Sequence, residues 1–171
     1  MFQRFRLLEE KLLKFFMISI VLFMGCGHAL LKQPNVKTSE TEDSLNKKIQ
    51  EAPDNPFPYL ERADIRTRVG NGGGAILDYT KVIDLVSSNE KKFSGINLAG
   101  VFSSRGQEYH IIADLYKDDK KFAQAKIYYE LALKDLQKVL IFCRYDKCKT
   151  EYQLALQDIK DITKKLAAIS K

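Results

Sequence analysis

Two stretches of this chain carry the same five-residue pattern, fifty residues apart. Tyr59, Ala63, Gly70, Ala75 and Tyr79 recur as Tyr109, Ala113, Lys120, Ala125 and Tyr129, with steps of 4, 7, 5 and 4 in both. A step of four keeps side chains on one face of a helix. The longer steps span a break, at Gly70-Asn71-Gly72-Gly73-Gly74 in the first stretch and at Asp118-Asp119 in the second. Two helices approach closely only where side chains are small, and alanine stands on both sides of each break. The pattern predicts two helix pairs, each antiparallel because its connection is short. No window alternates with period two for long enough to make a strand. The expected fold class is therefore all-α.

The remaining elements follow from local signals. Leu45 and Ile49 mark a short helix ended by Ala52-Pro53. Asn55 is a candidate N-cap, and Pro56 suits the first position of a helix running to about Val69, where the glycines stop it. A second helix is expected from Ala75 to about Val86, followed by a polar loop over residues 87–95. A third covers about Ile96 to Tyr116, and a fourth runs from Phe122 to about Phe142. A last helix carries Tyr152, Leu156, Ile159, Ile162, Leu166 and Ile169.

The doubled pattern resembles the tetratricopeptide repeat, a family in which helix pairs stack into an α-solenoid. The second unit adds Ile112, Tyr116, Phe122 and Ala132 at family positions, and the first adds Asn55-Pro56, Arg62-Ala63 and Asp78-Tyr79. Arg66 stands where the family prefers an aromatic, Val82 where it prefers a small residue, Gly72 in place of an aromatic, and Ser87 in place of a closing proline. The fifty-residue spacing exceeds the family's period of about 34. The resemblance implies two repeats and a C-terminal capping helix. It also implies a protein-binding groove lined by Leu60, Asp64, Thr67 and Arg68 in the first unit and by His110, Asp114, Lys117 and Asp118 in the second. The plain alternative for each of these residues is a solvated helix face. The family's carboxylate clamp uses Lys and Asn at two of the positions where Leu60 and Asp64 stand, so binding of chaperone tails is not expected.

The first thirty residues read as an address. Residues 1–14 are charged, residues 15–24 are apolar, and Gly25-Cys26-Gly27 follows. The apolar run is shorter than the roughly 20 residues a membrane-spanning helix needs and suits a signal-peptide core. Phe23-Met24-Gly25-Cys26 resembles the lipobox of bacterial lipoproteins, with Phe23 in place of the usual Leu. That resemblance implies a signal peptide over 1–25 and acylation at Cys26, including palmitate. A flexible tether then runs to residue 44, and the helical domain spans 45–171. An uncleaved anchor and a plain secreted product are the alternatives. By analogy with enteric lipoproteins, the resemblance with Gly27 rather than Asp after the cysteine implies the outer membrane, with the domain facing the periplasm.

Once Cys26 is acylated, Cys143 and Cys148 remain, and an oxidising compartment predicts a disulfide between them. Two separate thiols are the alternative. The net charge of +6 is spread among interspersed acids and bases, which does not point to nucleic acid. Gly70 to Ala75 fits G-x-G-x-x-A, but the charged segment Glu61 to Arg68 before it cannot be the buried strand that a dinucleotide site requires. No cofactor and no metal is expected; the Cys143–Cys148 spacing is too wide and further ligands are missing. The expected function is a membrane-anchored scaffold or adaptor that binds other envelope proteins and catalyses nothing. The alternatives are an accessory subunit or cryptic hydrolase with a pocket near His110, and a purely structural surface lipoprotein.

Overall fold

The computed structural model describes residues 41–143 and 148–170. The expected signal peptide, Cys26 and most of the expected tether lie outside them. Among the described residues six helices follow one another: α1 Glu42–Glu51, α2 Pro56–Arg68, α3 Gly72–Ser88, α4 Leu98–Asp118, α5 Phe122–Phe142 and α6 Lys149–Ile169. The described residues contain no strand, and the fold is all-α. Helices α2 and α3 form one packed pair and α4 and α5 another, with α1 against α2 and α6 against both α5 and α4.

The repeated positions are where the pairs close. Ala63, Ala75, Ala113 and Ala125 are wholly buried, as are Tyr129 and nearly so Tyr79. Each turn within a pair is also built alike. Gly70 N–H donates to Thr67 O and Asn71 N–H to Arg66 O, while Lys120 N–H donates to Lys117 O and Lys121 N–H to Tyr116 O. This is the double bond of a Schellman cap, which needs a left-handed residue after the helix. Gly70 has φ 78° and Lys120 φ 59°.

Local signals place several boundaries. Asn55 Oδ1 accepts from Phe57 N–H at 3.2 Å, with Pro56 as the first helical residue. Helix α3 begins at Gly72, three residues before the expected start, because Asn71 caps it through a 3.0 Å bond from Gly74 N–H. Helix α1 begins at Glu42, capped by Thr41, so residues 42–44 belong to the domain and not to the tether. The segment expected to be a polar loop buries Phe93.

Two of the buried carboxylates, Asp78 and Asp135, are paired across helices. Asp78 takes a two-point contact from Arg62, at 2.9 Å from Nε and 2.6 Å from Nη2. Arg66 adds a 3.0 Å contact to Asp78 and reaches Glu42 of α1, while Arg62 also donates to Asn46. Arg66, at a position where an aromatic was the family expectation, thus helps pin α1 onto the first pair. Asp135 is held the same way by Arg105 at 2.7 and 2.8 Å, and Arg105 also donates to Thr80 of α3. Removing one partner of such a buried pair strands the other charge and costs about 3–5 kcal/mol.

Candidate functional site

The eight expected groove residues fall into two equivalent sets. In the first, Tyr79 Oη donates to Asp64 at 2.9 Å and lies 3.5 Å from Thr67 Oγ1. Arg68 Nε donates to the Asp64 carbonyl at 3.2 Å. Leu60 is half-buried against the core. In the second set, Tyr129 donates to Asp114 over the same fifteen-residue separation. Lys117 lies 3.5 Å from Asp114 and 3.6 Å from Asp118.

The sets differ in what covers them. Lys165 of α6 lies 2.8 Å from Asp114, 2.9 Å from Asp161 and 2.8 Å from His110 Nε2. The second set is therefore partly sealed by the last helix, whereas Asp64, Thr67 and Arg68 stay exposed. Lys165 and Asp161 escape sequence reasoning, because the register of α6 along α4 is a tertiary property. Ile111 and Leu115 had a signal that was passed over: two apolar residues four apart, off the Ala113 side. They are 55% and 63% exposed. Ile111, Asp114, Leu115 and Asp118 follow the i, i+3, i+4, i+7 spacing of one helix face.

The electrostatics follow from burial and pairing. Burial and the Lys165 ammonium hold His110 below its ordinary value, against the pull of Asp114, Asp161 and Asp158. Burial pushes Asp114 up, but hydrogen bonds from Lys165 and Tyr129 outweigh it, and the net shift is downward. Burial pushes Lys165 down, and bonds to Asp114 and Asp161 reverse that to a net rise. Tyr79 is pushed up to about 12 by burial and by the Asp64 carboxylate it bonds. Tyr129 is raised by burial and by Asp114.

An ammonium only donates, so His110 Nε2 accepts from Lys165 and the ring proton sits on Nδ1. The same nitrogen lies 3.6 Å from the carboxylates of Asp114 and Asp161. Ser103 lies seven residues back on the same helix, roughly 10 Å along its axis. The Gly70–Ala75 segment joins two helices, so the strand of a dinucleotide site does not precede it. Among the described residues no group of three His, Cys, Asp or Glu is placed to hold a metal ion, and no helix is long and apolar enough to cross a membrane. Comparison with known proteins adds nothing to this geometry: no protein family, curated protein or solved structure matches the chain.

Cys143 directly follows α5 and Cys148 directly precedes α6. Their Cα atoms are 5.6 Å apart, inside the roughly 4.4–6.8 Å that a disulfide spans. Cys143 is wholly buried.

Proposed function

We propose that this chain is a lipid-anchored, protein-binding scaffold of the bacterial envelope, built on two tetratricopeptide-like repeats and acylated at Cys26. The observation that carries the binding role is the outward face of α4. Ile111 and Leu115, one helical turn apart, are both exposed, on the face that also carries Asp114 and Asp118. An apolar strip with a charged border is the usual make-up of a surface that another protein covers. On the first pair the corresponding positions Asp64, Thr67 and Arg68 are exposed and polar. The partner is an envelope protein or peptide, held by contacts and not by chemistry. The anchor rests on the apolar run and Gly25-Cys26, with several acyl chains giving stable attachment at about 0.8 kcal/mol per buried methylene.

The test is a crosslinking pull-down from native envelopes with the wild-type chain and with Ile111→Asp/Leu115→Asp. Both positions are exposed, so circular dichroism of the variant stays unchanged. Loss of the crosslinked species supports the reading, and an unaltered set refutes it. Intact-mass measurement of the native chain tests the anchor separately: an intact Met1 or a bare Cys26 ends that part.

A further inference from the structure

Both helix pairs carry the same carboxylate–tyrosine unit, and a cation answers it in only one of them. In the second pair Tyr129 donates to one oxygen of Asp114, and Lys165 of α6 donates to the other at 2.8 Å. Lys117 adds a second cation 3.5 Å from the same carboxylate. In the first pair Tyr79 donates to Asp64 Oδ1 at 2.9 Å, with each residue fifty positions before its counterpart. Neither cation is present here. Thr67 stands where Lys117 stands in the second pair. Arg68, one turn on, donates its Nε to the Asp64 backbone carbonyl at 3.2 Å. Among the described residues the Asp64 carboxylate makes no ion pair, and its one hydrogen-bond partner is Tyr79.

Packing makes the difference. Helix α6 lies against α4 as well as α5, whereas α4 lies against α3 and forms no comparable contact with α2. Asp114 and Lys117 are accordingly half-buried, and Asp64 and Thr67 are exposed. The lysine that α6 delivers sits at the border of an apolar stripe. Ile162 is wholly buried, and Leu166 and Ile169 pack on the core. The second pair thus displays, within the chain, what such a unit accepts when a helix covers it.

We infer that the Asp64–Tyr79 unit receives a lysine side chain carried on the apolar helix face of a partner protein, as Asp114–Tyr129 receives Lys165. Tyr79 engages Oδ1, so only Oδ2 is left. One oxygen suits the point charge of an ammonium, whereas the two-pronged guanidinium is matched by both. Thr67 Oγ1 offers a second acceptor. Leu60, in place of the imidazole that Lys165 meets, gives the methylene stem an apolar surface. The inference names the chemistry of one contact for the scaffold reading and rests on it. It places that contact on α2 and not on the helix of Ile111 and Leu115, so the two fail separately.

The experiment is a titration of the isotopically labelled full chain in detergent, followed by nuclear magnetic resonance. The probe is acetyl-Ile-Thr-Gln-Lys-Leu-Ala-Ala-Ile-amide, the stretch of α6 over residues 162–169 with Lys164 made Gln. Two counterparts carry arginine, or norleucine with its uncharged stem, in place of the remaining lysine. The lysine peptide is expected to shift Asp64, Thr67 and Tyr79, the arginine peptide to do so more weakly, and the norleucine peptide to leave them unmoved. Asp64→Asn keeps an oxygen for Tyr79 but loses the charge, and should weaken the lysine peptide roughly two- to fivefold. Circular dichroism checks that this variant is folded. Equal shifts from the three peptides, a stronger arginine peptide, shifts confined to another surface, or undiminished binding to Asp64→Asn overturn the proposal. No shift with millimolar lysine peptide also overturns it, while leaving the pull-down result for Ile111 and Leu115 standing.

Discussion

Replacing Lys120 with glycine should make this protein more stable. Lys120 occupies the left-handed position that closes α4, with φ 59°. A side-chain-bearing residue is strained there by roughly 1–2 kcal/mol. Glycine removes that strain but loses about 0.5–1 kcal/mol more conformational freedom on folding. The net gain expected for Lys120→Gly is about 0.5–1 kcal/mol. A domain of about 130 residues has an unfolding entropy near 0.27 kcal/mol/K, so the midpoint should rise by about 2–4 °C. The Lys120 side chain is exposed and makes no hydrogen bond or ion pair among the described residues, so nothing else is lost. Gly70 supplies the reverse control at the equivalent turn. A Cβ built there meets nothing within 4 Å, so Gly70→Ala tests backbone conformation alone and should destabilise by about 1 kcal/mol or somewhat more. Thermal unfolding by circular dichroism, checked by urea midpoints at constant slope, measures both. A lowered midpoint for Lys120→Gly, or a neutral Gly70→Ala, would refute the equivalence of the two turns.

Three further outcomes are expected. Ala113→Leu adds bulk at a wholly buried helix contact, and thermal unfolding should show a loss of about 1–3 kcal/mol. Stability should fall at both ends of the pH range, as urea unfolding at stepped pH would show. His110 is depressed in the fold, so the unfolded chain binds its proton first and stability declines as pH drops below about 6.5. Asp114, also depressed, adds a loss as pH falls below its ordinary value of 3.8 through its lower folded one. Tyr79, raised to about 12, removes stability as pH climbs from 10 toward that value; a Tyr79→Phe variant lacking any change in the alkaline limb would contradict this. Finally, Cys143 and Cys148 should resist alkylation in chain unfolded without reductant and react after reduction. Labelling of both without reductant would rule out the bond, which is worth about 2 kcal/mol for so short a loop.

What the sequence made legible was what is decided within a few residues. Asn55-Pro56 and the Gly70 stop are local signals, and the structure uses both as expected. The start of α3 was misplaced because three glycines argue against a helix. The glycine has a tertiary contact instead: a Cβ on Gly72 would fall 2.5 Å from the carboxylate of Glu108, a nearly buried residue of α4, and would displace the end of that side chain. That carboxylate lies at the positive end of α3, where an anion is favourable. Nothing in the spacing of Glu108 reveals this, since the contact crosses from one pair to the next. The same holds for Lys165 over His110 and Asp114. Phe93 was read as part of a polar loop because one aromatic residue among polar neighbours has no period.

Each described helix packs chiefly on those beside it in the chain, and the longest step of substance is from α4 to α6. Loop-closure entropy is therefore small at every stage, and chains of this kind cross low folding barriers. Folding of such a domain can keep pace with its delivery from the N-terminal side. Once α1 to α3 are out, Arg62 and Arg66 already have Asn46, Glu42 and Asp78 to bond. The first pair thus has cross-helix charge pairs that need no residue of α4. A chain that emerges gradually never has to hold its whole apolar surface open at once.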